Sequence, residues 1–224
     1  MPTDLAFIRL LQLVSPALPI GLYSYSQGLE QAVEAGWVHD ERTAGLWVAG
    51  LMERSVSRVD LPILIRLYTA WSQHDETGVE YWSLQLRAHR ETAELRAEDR
   101  QTGQALARVL TGLQLERASA WQRHEASSLA TLFALAAVTW GIPRPTAASA
   151  YLWGWLENQA LCAVKLIPLG QSAGQRMLFD LSSRIPALTV QALALDDDDI
   201  GGSSLGQSLA SSRHETQYTR LFRS

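Results

Sequence analysis

The sequence predicts an all-α protein, a single domain built as a multi-helix bundle. Apolar residues return at three- and four-residue spacing along almost the whole chain, whereas alternating strand-like runs joined by hairpin turns are scarce. Prolines and glycines punctuate that pattern at Pro16, Pro19 and Gly21, at Gly141, Pro143 and Pro145, and at Pro168 and Gly170. A chain of 224 residues, 47% of them hydrophobic, can bury a sizeable core, and no fixed-period repeat or interdomain linker divides it.

The elements follow in order. Leu5, Ile8 and Leu11 begin a first helix that must stop near Ser15, because Pro16 and Pro19 disfavour helical geometry in the residues before them. Asp40 is placed to N-cap a helix running to about Ser57. Asp60 is expected to cap another, with Pro62 in its first turn and Ile63, Leu67 and Trp71 facing inward. After a polar turn around Thr77 and Gly78, a long helical stretch from Tyr81 toward Leu115 is expected to break near Gly103. Its charged middle is a candidate surface or partner contact. Leu129 to Trp140 is apolar on all faces and belongs at the bundle centre. Helices over Thr146–Lys165, Gln171–Ser183 and Ala187–Leu195 complete the series.

Composition narrows the function. A net charge of -4 and a pI near 5.7 argue against a nucleic-acid surface, which needs clustered Lys and Arg to displace counterions. Lys165 is the single lysine, so positive charge sits on arginine, which favours fixed planar pairing. Cys162 alone makes neither a disulfide nor a cysteine-cluster metal site. The N-terminus carries Asp4 and lacks the basic start and long apolar run of a signal peptide, and Leu129–Ile142 is shorter than the roughly 20 residues that span a bilayer. A cytoplasmic protein without membrane partners is expected.

No phosphate loop, histidine pair at metal spacing or nucleophile elbow is found. Unusual chemistry is concentrated elsewhere. The segment 205–224 reads as a C-terminal docking segment, whose last residues His214, Glu215, Tyr218, Arg220, Leu221, Phe222 and Arg223 mix broad apolar contact with multi-donor hydrogen bonding. Folding back onto its own domain is the alternative that composition leaves open. Before it, the run 196–204 (DDDDIGGSS) reads as a mobile acidic linker, since adjacent acids repel one another and glycine leaves them unpositioned for a cation. The segment Ser15 to Glu30 (SPALPIGLYSYSQGLE) has fixed turns, a glycine at Gly28 that permits close backbone approach, and the polar groups of Tyr23, Ser24 and Tyr25. It reads equally as a binding loop or an interhelical corner. Asn158, Cys162 and Lys165 can share one helical face, and with Gln159 they need partners if buried. A helical enzyme with a site around Tyr23, Asn158 and a burial-depressed Lys165 is the rival reading.

Four segments together resemble the UreF family of urease accessory proteins: Ser15–Glu30, Arg90–Leu106 (RETAELRAEDRQTGQAL), Trp155–Gln175 (WLENQALCAVKLIPLGQSAGQ) and His214–Ser224 (HETQYTRLFRS). The resemblance implies an all-helical, non-enzymatic assembly factor, commonly a homodimer, that bridges UreD (UreH) and the GTPase UreG. That assembly delivers nickel to apo-urease. GTP hydrolysis then belongs to UreG, with modulation by this chain left open. No cofactor is expected to bind tightly, and nickel is expected to transit the assembled complex. By motif position, Tyr23 and Arg220 correspond to residues that hold the UreD-bound, UreG-recruiting conformation in the family, whose C-terminal segment is implied to order when UreD binds, and Lys165 to a UreG-facing group. Leu22 is bulkier than the small residue expected in its turn.

Overall fold

The computed structural model describes residues 5–224, so Asp4, used above in reading the N-terminus, lies outside the described residues. Among the described residues the chain forms eleven α-helices and no strand. They are α1 (Leu5–Leu13), α2 (Leu29–Glu34), α3 (Glu41–Leu51), α4 (Leu61–Ser72), α5 (Glu76–Ala88), α6 (Ala93–Gly112), α7 (Leu129–Thr139), α8 (Arg144–Leu166), α9 (Gln171–Ser182), α10 (Ile185–Ala194) and α11 (Leu205–His214). None is long and apolar enough to cross a membrane.

At the centre lies α7, buried on all faces as its uninterrupted apolar sequence requires, with Ser128 capping its start. Against it packs α4, whose Ile63, Leu67 and Trp71 are wholly inside. The Trp71 indole N–H donates to the Thr131 carbonyl at 2.9 Å, which satisfies the one polar atom that burial would strand. α5 packs on α4 and α6 on α7, while α8 touches both α4 and α7 and carries α9 and α10.

Two expected boundaries move, each for a visible reason. Asp40 does cap α3, with a reciprocal box between its carboxylate and Thr43. Asp60, however, caps nothing: it has helical dihedrals, and the chain runs unbroken from α3 through a π-helical segment, Met52–Asp60, into α4. Its carboxylate is taken instead by the buried Arg90 guanidinium. The break expected at Gly103 falls between α5 and α6, where Thr92 accepts the Leu95 N–H and starts α6. Gly103 sits mid-helix because a Cβ there would lie 2.5 Å from the backbone carbon of Ser128, so its missing side chain admits the start of α7.

The charged stretch around α6 is two-sided: Arg87, Glu91 and Arg96 are exposed, whereas Glu98 and Asp99 are buried and the Arg90 side chain is largely covered. Arg90 Nε donates to Asp99 at 2.9 Å while its terminal nitrogens hold Asp60. Burial alone would lower the Arg90 pKa, but the two aspartates more than offset it and hold it well above the usual value. For Asp99 burial prevails over Arg90 and the carboxyl is raised. The acidic stretch 196–204 is also held: Arg66 grips Asp197 at 2.8 Å and the Leu195 carbonyl, and the Gly201 N–H reaches the Arg58 carbonyl at 3.2 Å.

Candidate functional site

The segments 15–30 and 205–224, far apart in sequence, meet on one side of the bundle. Gly21 and Gly28 take positive φ (78° and 85°), which bends the chain after α1 and points Ser24, Tyr25 and Ser26 toward α8 and the tail. A Cβ on Gly28 would stand 3.1 Å from the Ser211 nitrogen, so glycine lets α11 lie directly on the start of α2. At its end α11 is fastened to α6: the Thr92 and Ser211 hydroxyls meet at 2.7 Å, and Glu215 accepts the Ala93 N–H at 3.0 Å. A carboxylate at that helix start also complements the helix dipole.

Three carboxylates, the buried Glu30 and Glu98 and the partly buried Glu94, then hold the tail. Glu30 accepts the backbone N–H groups of Leu221 at 2.6 Å and Phe222 at 2.9 Å, and its Oε2 lies 3.1 Å from His214 Nε2. Glu94 meets His214 Nδ1 at 2.7 Å and accepts from Arg220 at 2.9 Å. Glu98 accepts from the Ser224 hydroxyl at 2.8 Å and the Gln27 amide at 2.7 Å. Burial pushes the Glu98 carboxyl up to about 7, and those two hydrogen bonds oppose the rise only in part. Backbone bonds complete the clasp, from Arg223 N–H to the Ser24 carbonyl at 2.8 Å and from Ser26 N–H to the Ser224 carbonyl at 2.9 Å. The tail therefore follows a defined path against its own bundle.

The residues singled out by sequence separate into braces and outward groups. His214 and Phe222 are inside, as is Tyr25, whose hydroxyl donates to Gln101 at 2.8 Å. Ser24 is half-buried and gives its carbonyl to the clasp. Tyr218 is fully exposed, Leu221 and Tyr23 are 66% and 59% exposed, and Arg220, Arg223 and Glu215 also face solvent. Lys165 is exposed too, its ammonium standing 5.8 Å from the Tyr23 ring centre and 5.7 Å from that of Phe222. Sequence reasoning missed Glu30, Glu94 and Glu98. A signal existed: Glu94 and Glu98 are four apart and share a helix face, yet nothing local shows that a distant segment covers it.

The face shared by Asn158 and Cys162 is internal, since both donate to the Tyr25 carbonyl, at 3.0 and 3.4 Å. Burial raises the Cys162 thiol to about 12, far from a nucleophile's range. Gln159 is fully buried, and neither atom of its amide meets a protein partner among the described residues. Tyr23 and Asn158 line a cavity of about 110 Å³ whose polar wall is the Asp60, Arg90 and Asp99 triad. Lys165 lies outside it and exposed, so the burial that a lysine base requires is absent. Among the described residues no group of three or more His, Cys, Asp or Glu is gathered to hold a metal ion.

Fold and site together define an all-helical, single-domain protein whose densest polar chemistry holds a segment of its own chain in place. The chain belongs to the UreF family of urease accessory proteins: the UreF family model matches residues 38–182. It is 53% identical to urease accessory protein UreF of Alkalilimnicola ehrlichii, over 98% of this chain and 96% of that one. It is 49% identical to the protein of that name from Pseudomonas putida W619, over all of both chains, and 48% identical to that from Alcanivorax borkumensis, over 98% of each. The family model covers Glu94 and Glu98 but not the segments 15–30 and 205–224, which the full-length alignment to the Pseudomonas putida W619 protein includes.

Proposed function

We propose that this chain is the adaptor that joins UreD (UreH) to the GTPase UreG in the assembly that delivers nickel to apo-urease, working as a homodimer in the cytoplasm. One observation supports the reading above others. Tyr218 and Leu221 project outward from a tail whose main chain Glu30 fixes in place, Arg220 stays exposed with its guanidinium held by Glu94, and Tyr23 is exposed on the neighbouring segment. Aromatic and arginine side chains held in advance lose little entropy on docking, which is what a protein-binding surface needs. Lys165, beside Tyr23, extends this face toward a second partner.

Size-exclusion chromatography with light scattering, run on the chain alone and with UreD plus UreG, tests the proposal. The wild type is expected to run as a dimer and to enter a ternary complex. Arg220→Ala, or deletion of His214–Ser224, is expected to lose the complex while keeping the helical circular-dichroism signal. Complex formation by the deletion variant would sink the docking role. Nickel is proposed to pass through the assembly without a tight site here, and equilibrium dialysis showing stoichiometric, submicromolar binding by the isolated chain would overturn that part.

A further inference from the structure

We propose that Glu30 is the positioning residue of the tail: its one carboxylate fixes the main chain of Leu221 and Phe222 and, through His214, the end of α11, and so decides which side chains the tail turns outward. The inference rests on the reading that this outward face is the docking surface.

The three clasp carboxylates do different work. Glu94 and Glu98 meet side chains of the α11 and tail segment, the His214 ring, the Arg220 guanidinium and the Ser224 hydroxyl. Glu30 takes two consecutive backbone N–H groups, one on each oxygen. Successive N–H groups converging on one anion define the direction of the chain at that point, because both donors are fixed to the peptide planes they orient. Leu221 is thereby left facing solvent and Phe222 facing the bundle, beneath Lys165. The seat is itself braced: Glu30 is 8% exposed, and its own N–H donates to the Ser26 hydroxyl, which in turn donates to the Ser224 carbonyl. All side-chain hydrogen bonds found for Glu30 go to residues 214–222, so its loss strikes the tail and not the α4 and α7 core.

Glutamine cannot replace it. Whichever way the amide turns, its NH2 group faces either the Leu221 or the Phe222 N–H, a donor against a donor. Losing hydrogen bonds to a charged group is therefore expected to release the tail locally, without unfolding the bundle.

The test uses the full chain with Glu30→Gln, and with Leu221→Pro as a tail-only variant that removes one donor and leaves the bundle untouched. Hydrogen–deuterium exchange is followed in the isolated chain, and binding is measured to UreD. Both variants are expected to exchange about tenfold or more faster at Phe222 and Arg223, and to bind UreD about tenfold or more weakly, with α4 and α7 protection unchanged. A residue serving only the packing of α2 would instead loosen α2 and leave the tail amides alone. Unchanged protection of Phe222 in Glu30→Gln overturns the proposal. So does a loosened tail that still binds UreD at full strength while deletion of His214–Ser224 abolishes binding. If that deletion itself leaves binding intact, the docking reading fails, and the exchange data still decide whether Glu30 positions the tail.

Discussion

Glu98 shows how a single buried carboxyl ties the clasp to pH. Its pKa rises from the ordinary 4.5 to about 7 because burial disfavours the charge more than Gln27 and Ser224 stabilise it. The folded state thus holds the proton more tightly than the unfolded chain does. The resulting stabilisation is fully present below about pH 4.5 and is lost as pH rises through about 7. Around Glu98 stand Arg90, which lowers its pKa, and Asp99, which raises it. Glu98→Gln mimics the protonated form: its oxygen can accept the Gln27 amide and its NH2 can donate to the Ser224 hydroxyl. Urea unfolding at pH 5 and pH 8.5 is expected to show the wild type losing on the order of 3 kcal/mol more than the variant over that interval. Equal losses in the two proteins would show that this proton is not linked to folding.

Most helices were legible because their signals are local. The Asp40 cap, the apolar run of α7 and the proline and glycine stops around α8 need no knowledge of the rest of the chain. What failed depended on distant partners. Asp60 looks like a cap until Arg90, from beyond α5, claims its carboxylate, and Glu98 and Asp99 look as solvated as the exposed Glu91 and Arg96 beside them, although both are buried. Sequence reading placed the tail and Ser15–Glu30 as the two notable segments but could not pair them, because the three glutamates that join them carry no mark of burial. α2 and α11 were missed: α2 is six residues long, and α11 has a weak apolar stripe and is held by Gly28 and Thr92. Gly103 makes the difference measurable. As a helix-breaking glycine, replacement by alanine would stabilise α6 by up to about 1 kcal/mol. As the contact point with Ser128, Gly103→Ala must push against backbone atoms 2.5–2.7 Å from the new methyl and is expected to cost about 1–3 kcal/mol in urea unfolding. A stabilised variant would place the α6–α7 approach elsewhere.

At the scale of the whole molecule, the bundle and the clasp divide the tasks of stability and presentation, and two classes of tail substitution separate them. Phe222 is 5% exposed and Tyr218 is fully exposed, though the two lie four residues apart. Truncating Phe222 removes apolar contact that burial makes worth about 3–5 kcal/mol in an ordinary core. The tail can leave the bundle without unfolding it, however, so the loss is capped at the free energy of tail docking and appears as local opening. Phe222→Ala is therefore expected to raise deuterium exchange across 215–224 and to weaken UreD binding, with a global thermal midpoint close to the wild type's. Tyr218→Ala and Leu221→Ala are expected to weaken binding by about tenfold or more while tail protection in the free protein stays intact, as for interface anchors whose side chains are mostly in solvent. The contrast decides which side of the tail meets the partner. If Phe222→Ala alone reduced binding and both outward substitutions bound normally, the partner would be meeting a tail that has opened, with its buried side as the recognition surface and the clasp as its guard.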